Sequence, residues 1–477
     1  MRIYDINWGG DSAESDPNLL EYFVESEALK RILQKQKPIV IGRKGSGKSA
    51  LRKKAEDKFK SKEDNLVIPI TPEGELFNIK NSQTTINEYN EEIFFRYIWI
   101  QYILKQSLCK AGDNVKGLLV TGSREFARQV SRTNNETSND LVEYITTLIS
   151  KLEVKVSKFG ELGVSFENQL KDDTDLYNLK HHFQTIANTY NNIIIFIDDL
   201  DVGWDNSKLA NNFLLGLLSA CDHISALSNQ VYYCIFIRED VYSILMTQTQ
   251  HSDKWRNIEE IRWTKPQLLE ILNTRINFNR KQHNLSEKND PFETVFPAMV
   301  GPSNTDNWLL ERTLWRPREL LQFARIYTEN LPDNNPNAEV LKERESKYSN
   351  WKLDDLCTEY KYQYPSLKEI FKYWRTYYRR CKYQLERDEV DSIILDILDN
   401  LDLEQSWFKE IKNNIDTYNF LDILYEIGFI RDVVNNKEFH AYFTPRNEHL
   451  PIFEEISIHP CFRKAIDTRE RMKSQNT

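Results

Sequence analysis

The stretch Ile39–Leu51, IVIGRKGSGKSAL, decides the fold. A short apolar strand runs into G-x-x-x-x-G-K-[ST], and an apolar helical start follows it. Glycines let the backbone approach a phosphate closely with its N–H groups turned inward. A helix that begins where the loop ends aims its dipole at the same anion. The candidate cradle is Gly42, Arg43, Lys44, Gly45, Ser46, Gly47, Lys48, Ser49 and Ala50. In this pattern Lys48 reaches the β- and γ-phosphates and the Ser49 hydroxyl holds Mg2+. A glycine-rich turn with no ligand is the plainer alternative. The motif sits after a strand and before a helix, as its mechanism demands, and that context favours nucleotide binding.

Such a site needs a second half, an acid at the end of a neighbouring apolar strand. NIIIFIDDLD, residues 192–201, supplies it: a continuous apolar run of the kind buried on both faces of a parallel sheet, closed by acids. Asp198 takes the position that holds Mg2+ through water. Asp199 is placed to orient or activate the attacking water, with Asp201 in reserve. Many ATPases carry Glu where Asp199 stands; the shorter Asp points to slow hydrolysis. Acids that merely close a strand are the plain alternative here.

Arginines follow in order. Arg238 ends the next apolar strand, YYCIFIR, where it can touch the γ-phosphate or pair with acids nearby. LWRPREL, residues 314–320, opens a helix with Pro317 in its first turn. Arg316 or Arg318 can swing onto the phosphates from there, and Arg318 is the preferred one. Arg256, in HSDKWRNIEEIRW, is a candidate for reaching the γ-phosphate of a neighbouring copy, with a packed or solvated arginine as the alternative.

Outward from these motifs, strands alternate with helices, which indicates a doubly covered parallel sheet. Residues 17–36 carry apolar positions at helical spacing, and NLVIPI, residues 65–70, is a second strand. Residues 72–173 hold no buried-type strand and read as an insertion, with helices around 87–112 and 139–152 and a β-hairpin over 153–167. From Lys265 only helices are expected. A lid over 265–335 precedes a C-terminal domain over 336–477, after an ATPase core over 1–264. Residues 420–446 read as a helix, a strand, an Asn-Asn turn and a strand, the shape of a winged helix.

The chain has 477 residues, 40% hydrophobic and 28% charged, with a net charge of −9. That is ordinary globular composition, and the acidic balance disfavours a surface built throughout to coat nucleic acid. The exception is FKYWRTYYRRCKYQ, residues 371–384. Its Lys372, Arg375, Arg379, Arg380 and Lys382 among aromatics suit either nucleic-acid contact or a core helix with a cationic face. The six cysteines are scattered without paired spacing, which speaks against a disulfide framework or a zinc site and for a reducing, cytoplasmic compartment. No signal peptide is expected from the N-terminal residues, and no segment reads as a membrane span.

Taken together, GRKGSGKSAL, IIIFIDDLD, YYCIFIRED, IEEIRW and WRPRELLQFAR resemble a family of bacterial P-loop ATPases. Its core is similar to the origin-recognition and signal-transducing branches of the AAA+ class. GGDSAESDPNLLEYF also resembles the segment that leads into the loop in that family. The resemblance covers about residues 7–70 and 190–330. It implies strand order 5-1-4-3-2, ATP with Mg2+, a helical lid, homo-oligomers and a place in anti-phage conflict loci. The effector or sensor is then another protein, encoded nearby. The expected function is an ATP-dependent, slowly hydrolysing switch. The alternatives are a DNA-binding or DNA-loading ATPase and a nucleotide-bound scaffold that never hydrolyses.

Overall fold

The computed structural model describes residues 1–71, 91–116, 120–136, 143–144, 147, 174–250, 252–331, 334–441 and 448–469. By internal contacts the chain divides into two compact units, Ser12–Arg262 and Met1–Asp11 with Trp263–Thr477.

The first unit is built on five strands: β1 (Ile39–Ile41), β2 (Asn65–Ile70), β3 (Asn192–Ile197), β4 (Val231–Ile237) and β5 (Ile258–Glu260). Their order is β2-β3-β4-β1-β5 and every pairing is parallel. This is the α/β P-loop order 5-1-4-3-2. Its helices are α1 (Glu27–Leu33), α2 (Lys48–Lys60), α3 (Glu91–Asp113), α4 (Ser123–Glu136), α5 (Thr174–Ala187), α6 (Lys208–Ser225) and α7 (Glu239–Gln248). Alternate residues of a strand face opposite sides. Ile193, Ile195 and Ile197 of β3 therefore join the apolar side chains of α3, α5 and α6. Ile194 and Phe196 join Leu29 and Ile32 of α1 and Leu51, Ala55 and Phe59 of α2.

The α3 helix is buried along most of its length, from Phe94 through Leu104, and its place explains why. Trp99 is fully buried, its ring centroid 4.9 Å from that of Phe213 on α6, and its Nε1 donates to the Phe213 carbonyl at 3.0 Å. Gly216 of α6 makes this approach possible. A Cβ there would lie 2.7 Å from the Phe95 Cβ and 2.8 Å from the Arg96 backbone N. Residues read from sequence as an insertion thus furnish one wall of the core. The β-hairpin expected over 153–167 and nearly all of the helix over 139–152 lie outside the described residues. Among the described residues, no helix is long and apolar enough to cross a membrane.

Two expectations need correction. The helix expected over 17–36 is confined to Glu27–Leu33. Asp16 captures the preceding segment in turns, accepting from Asn18 N at 3.2 Å and from the Tyr22 hydroxyl. Ser26 then caps the helix by accepting from Leu29 N. The region after Lys265 is not purely helical either. A two-stranded ribbon, β6 (Met299–Val300) with β7 (Ser303–Asn304), turns at Gly301, whose φ of 61° suits glycine.

In the second unit, α8 (Lys265–Gln282), α9 (Thr305–Glu311) and α10 (Pro317–Thr328) are followed by α11 (Ala338–Glu359) and α12 (Leu367–Tyr377). The first residues of the chain pack here: Trp8 Nε1 donates to the Thr328 hydroxyl at 2.9 Å, and Asn7 exchanges hydrogen bonds with Asn279. Further on come β8 (Gln384–Glu386), α13 (Arg387–Asn400), α14 (Ser406–Asn414), α15 (Thr417–Glu426), β9 (Ile430–Val434), β10 (Lys437–Phe439), β11 (Glu455–Ile458) and α16 (Pro460–Arg463). The helix–strand–turn–strand order read from sequence is α15, β9 and β10. Asn435 and Asn436 hold positive φ of 52° and 60° at the turn, as a two-residue hairpin requires. The strands β8 and β11, absent from the sequence reading, complete an antiparallel sheet in the order β10-β9-β11-β8.

Candidate functional site

Register carries the candidate residues to one edge of the sheet. Ile41 pairs with Ile237, and Ile197 pairs with Ile235 and Ile70. Gly42, Asp198 and Arg238 therefore follow the carboxyl ends of three adjoining strands, where open α/β sheets bind ligands. The loop's backbone is glycine-dependent at Gly45 (φ 77°) and at Gly47 (φ 98°), the N-cap of α2. At Gly42 a Cβ would fall 2.5 Å from the Ser46 hydroxyl. Lys48 Nζ donates to the carbonyls of Gly42 at 2.9 Å and Arg43 at 3.3 Å, so the ammonium stands at the loop itself. Arg43 Nε lies 3.3 Å from Glu239.

Asp198 is 1% exposed, and the Ser49 side chain is hydrogen-bonded to it. Burial pushes its carboxyl up, against the opposing pull of Arg52 and Lys48. Asp199 has φ of 58° and is pushed up to about 6, by burial first and then by Asp198, Glu14 and Asp201. Among the described residues no cation lies within 4 Å of its carboxylate, whereas Asp201 is 3.6 Å from Arg238 Nη1. Arg238 is itself 7% exposed and is held chiefly by Asp240, Nε donating at 3.0 Å. Ser49 and Asp198 are both oxygen donors brought together at the loop. That set fits Mg2+, which takes one or two protein ligands and completes its shell with water and phosphate oxygens. Among the described residues there is no group of three or more His, Cys, Asp or Glu side chains suited to a metal.

Sequence reading missed Arg52, one turn beyond Lys48 on α2. It is 5% exposed, and its Nε donates to Asp198 Oδ2 at 3.0 Å. Its Nη1 donates to Glu56 and its Nη2 to Glu14 at 3.3 Å. The i, i+4 spacing from Lys48 was the available signal, because it puts both cations on one helix face. Cations of α2 also hold the lead-in segment: Lys53 donates to Ala13 O at 2.8 Å and Lys54 to Leu20 O at 3.0 Å.

The remaining candidates lie on other elements. Arg256 is exposed beside β5. In the second unit, Arg316 is 3% exposed and donates to Glu359 at 2.8 Å, in a buried network with Glu319 and Lys352. Arg318 is the more exposed of the pair, with Nη1 3.6 Å from Asp355. The helix expected to bear Arg375, Arg379, Arg380 and Lys382 ends at Tyr377, so only Arg375 is on it. Arg379 lies 3.3 Å from Asp467 and Lys382 2.8 Å from Glu389, while Arg380 adopts a positive φ of 59°. Arg431, on β9 of the winged-helix-like segment, is buried: it donates to Glu438 and lies 2.9 Å from His459 Nε2.

Residues 266–357 match the FunZ-associated C-terminal helical domain family. Over 475 residues the chain is 20% identical to a putative transposon gamma-delta 80.3 kDa protein of Escherichia coli (strain K12), a match covering 95% of this chain. The chain spans 66% of that relative's length. Among solved structures it is similar to the Aeropyrum pernix ORC1 protein in complex with DNA, at 12% identity and a TM-score of 0.40, over 94% of each chain. It is also similar to the A. pernix ORC2 protein in ADPNP–ADP complexes, at 11% identity and a TM-score of 0.42, over 98% of this chain and 96% of that one. Cdc6p of Pyrobaculum aerophilum matches at 12% identity and a TM-score of 0.32, over 95% and 97%.

Proposed function

We propose that this chain is a Mg2+-dependent ATPase of the AAA+ type that turns over slowly and serves as a switch for a partner protein. The observation that carries this reading is the joint placement of Lys48, Ser49 and Asp198 at the carboxyl ends of β1 and β3. The loop's N–H groups and Lys48 bind the phosphates. Ser49 and Asp198 would hold Mg2+, which would supply neutralisation of phosphate charge when bound. Asp199 orients the attacking water. Arg238 contacts the γ-phosphate only after loosening from Asp240 and Asp201, which suits a reporter of nucleotide state. Arg318 from the lid and Arg256 from a neighbouring copy in a homo-oligomer are the proposed further contacts. The resemblance to ATPases of anti-phage conflict loci supports a bacterial defence role, with the effector or sensor a separate protein. Phosphate release from ATP should require Mg2+ and run at about 10⁻² s⁻¹ or slower, as in other switch NTPases. Release that is indifferent to EDTA, or a rate near 10 s⁻¹ typical of metabolic enzymes, would sink the slow-switch reading.

Nucleic-acid binding is the second reading. The observation that favours it is an exposed strip at the end of α12: Lys372, Arg375, Arg379 and Arg380, with Tyr377 67% exposed. The acidic partners of Arg379 and Lys382 form surface pairs, worth roughly 0–1 kcal/mol, which phosphate can displace. The β9–β10 hairpin is a poorer candidate, because Arg431 is buried. The outward side of α15 carries Asp422 and Glu426. In a gel-shift series, reversing Arg375, Arg379, Arg380 and Lys382 together should abolish any duplex binding. The pair Arg431→Glu with Lys437→Glu should leave that binding nearly intact where the variant folds. The opposite order would hand the contact to the hairpin.

A further inference from the structure

Asp198 is held on two sides. The Ser49 side chain is hydrogen-bonded to it, and Arg52 donates to its Oδ2 at 3.0 Å. Neither Arg52 nor Asp198 is open to solvent: the Arg52 side chain is 6% exposed and that of Asp198 2%. A buried carboxylate without a counter-charge is costly, and its orientation is then poorly determined. Arg52 answers both needs. Its fork is rigid and planar, and it is itself anchored by Glu56 on its own helix and by Glu14 on the lead-in segment. The guanidinium therefore occupies one carboxylate oxygen from a fixed direction.

We infer that Arg52 is the positioning residue of the metal site: it pins Asp198 so that the carboxylate faces the Mg2+ position beside Ser49. The inference rests on the nucleotide-binding reading above and deepens it. Among the described residues the hydrogen-bond partners of the Arg52 guanidinium are Asp198, Glu56 and Glu14. Lys48 and the loop glycines are arranged without it, because Lys48 donates to Gly42 O and Arg43 O. The consequence is a separation of effects. Loss of Arg52 should weaken the contribution of the metal while leaving metal-free nucleotide binding intact.

The test uses the full chain and two variants, Arg52→Gln and Arg52→Lys. A fluorescent ADP analogue is titrated first in EDTA and then against rising Mg2+. Arg52→Gln should bind the analogue in EDTA within about twofold of wild type, and need about tenfold more Mg2+ for half of the metal-dependent gain. Arg52→Lys keeps the charge and loses the fork, so it should fall between the two. It also keeps the question answerable if the glutamine variant does not fold. Mn2+ supplies a readout independent of turnover. The electron paramagnetic resonance signal of the Mn2+–ADP complex should show weaker, more heterogeneous binding in both variants. An unchanged Mg2+ midpoint in a folded variant overturns the inference alone, and so does a lower one, which would make Arg52 a competitor of the metal. Absence of any nucleotide binding by wild type overturns the nucleotide reading and this inference with it.

Discussion

Lys48→Ala should lose ATP affinity by a hundredfold or more while the nucleotide-free protein melts at the wild-type temperature. Two facts separate binding from folding at this position. Lys48 is only partly buried, at the first turn of α2, and its ammonium donates to the carbonyls of Gly42 and Arg43. Water can replace it there, so the fold gives up little. Bound phosphate, by contrast, loses charge-assisted hydrogen bonds worth roughly 1.5–3 kcal/mol each. Two of them amount to about two decades of affinity or more. Calorimetry on the folded variant decides the matter: ATP binding equal to wild type would place the phosphate site elsewhere.

Asp199→Asn should keep ATP bound within about threefold of wild type and slow phosphate release by a factor on the order of 10²–10⁴, the range for loss of a positioned general base. Metal binding survives because Asp198, not Asp199, adjoins Ser49. The backbone survives too, since φ of 58° at Asp199 is a conformation that asparagine accepts readily. The same variant has a pH signature in EDTA. The Asp199 carboxyl is pushed up to about 6, so the folded state favours its neutral form. A raised carboxyl contributes stability that is whole below its ordinary range near 4, and that contribution fades as pH rises through 6. Asp199→Asn should therefore melt like wild type near pH 4 and above it at pH 7.5. Equal phosphate release from the two proteins would move the water-orienting role to Asp201, or leave the reaction without a base.

Much of this was readable along the chain because its signals are contiguous. The phosphate loop, the buried strands β3 and β4, the acids that close β3 and the Asn-Asn hairpin each lie within a short window. Their chemistry follows from residue type and period alone. The sheet order is consistent with the family resemblance and was confirmed by pairing. Over residues 17–36 the window misled because of a side-chain capture: Asp16 holds residues 18–22 in turns that helical spacing could not disclose.

What the sequence by itself determined is the set of groups proposed to bind phosphate and metal. Which neighbours restrain them was decided by the tertiary structure. Arg52 meets Asp198 across 146 positions and Glu14 across 38, and nothing local to any one of the three announces the others. The same holds for the arginine pairs. Arg316 and Arg318 stand two positions apart in LWRPREL, yet one is sealed against Glu359 and the other remains partly exposed. Arg431 of β9 is buried because β11 pairs with its strand and His459 meets its guanidinium. A charge acquires its role from what desolvates it and what pairs with it. Both depend on chain segments brought together only by folding.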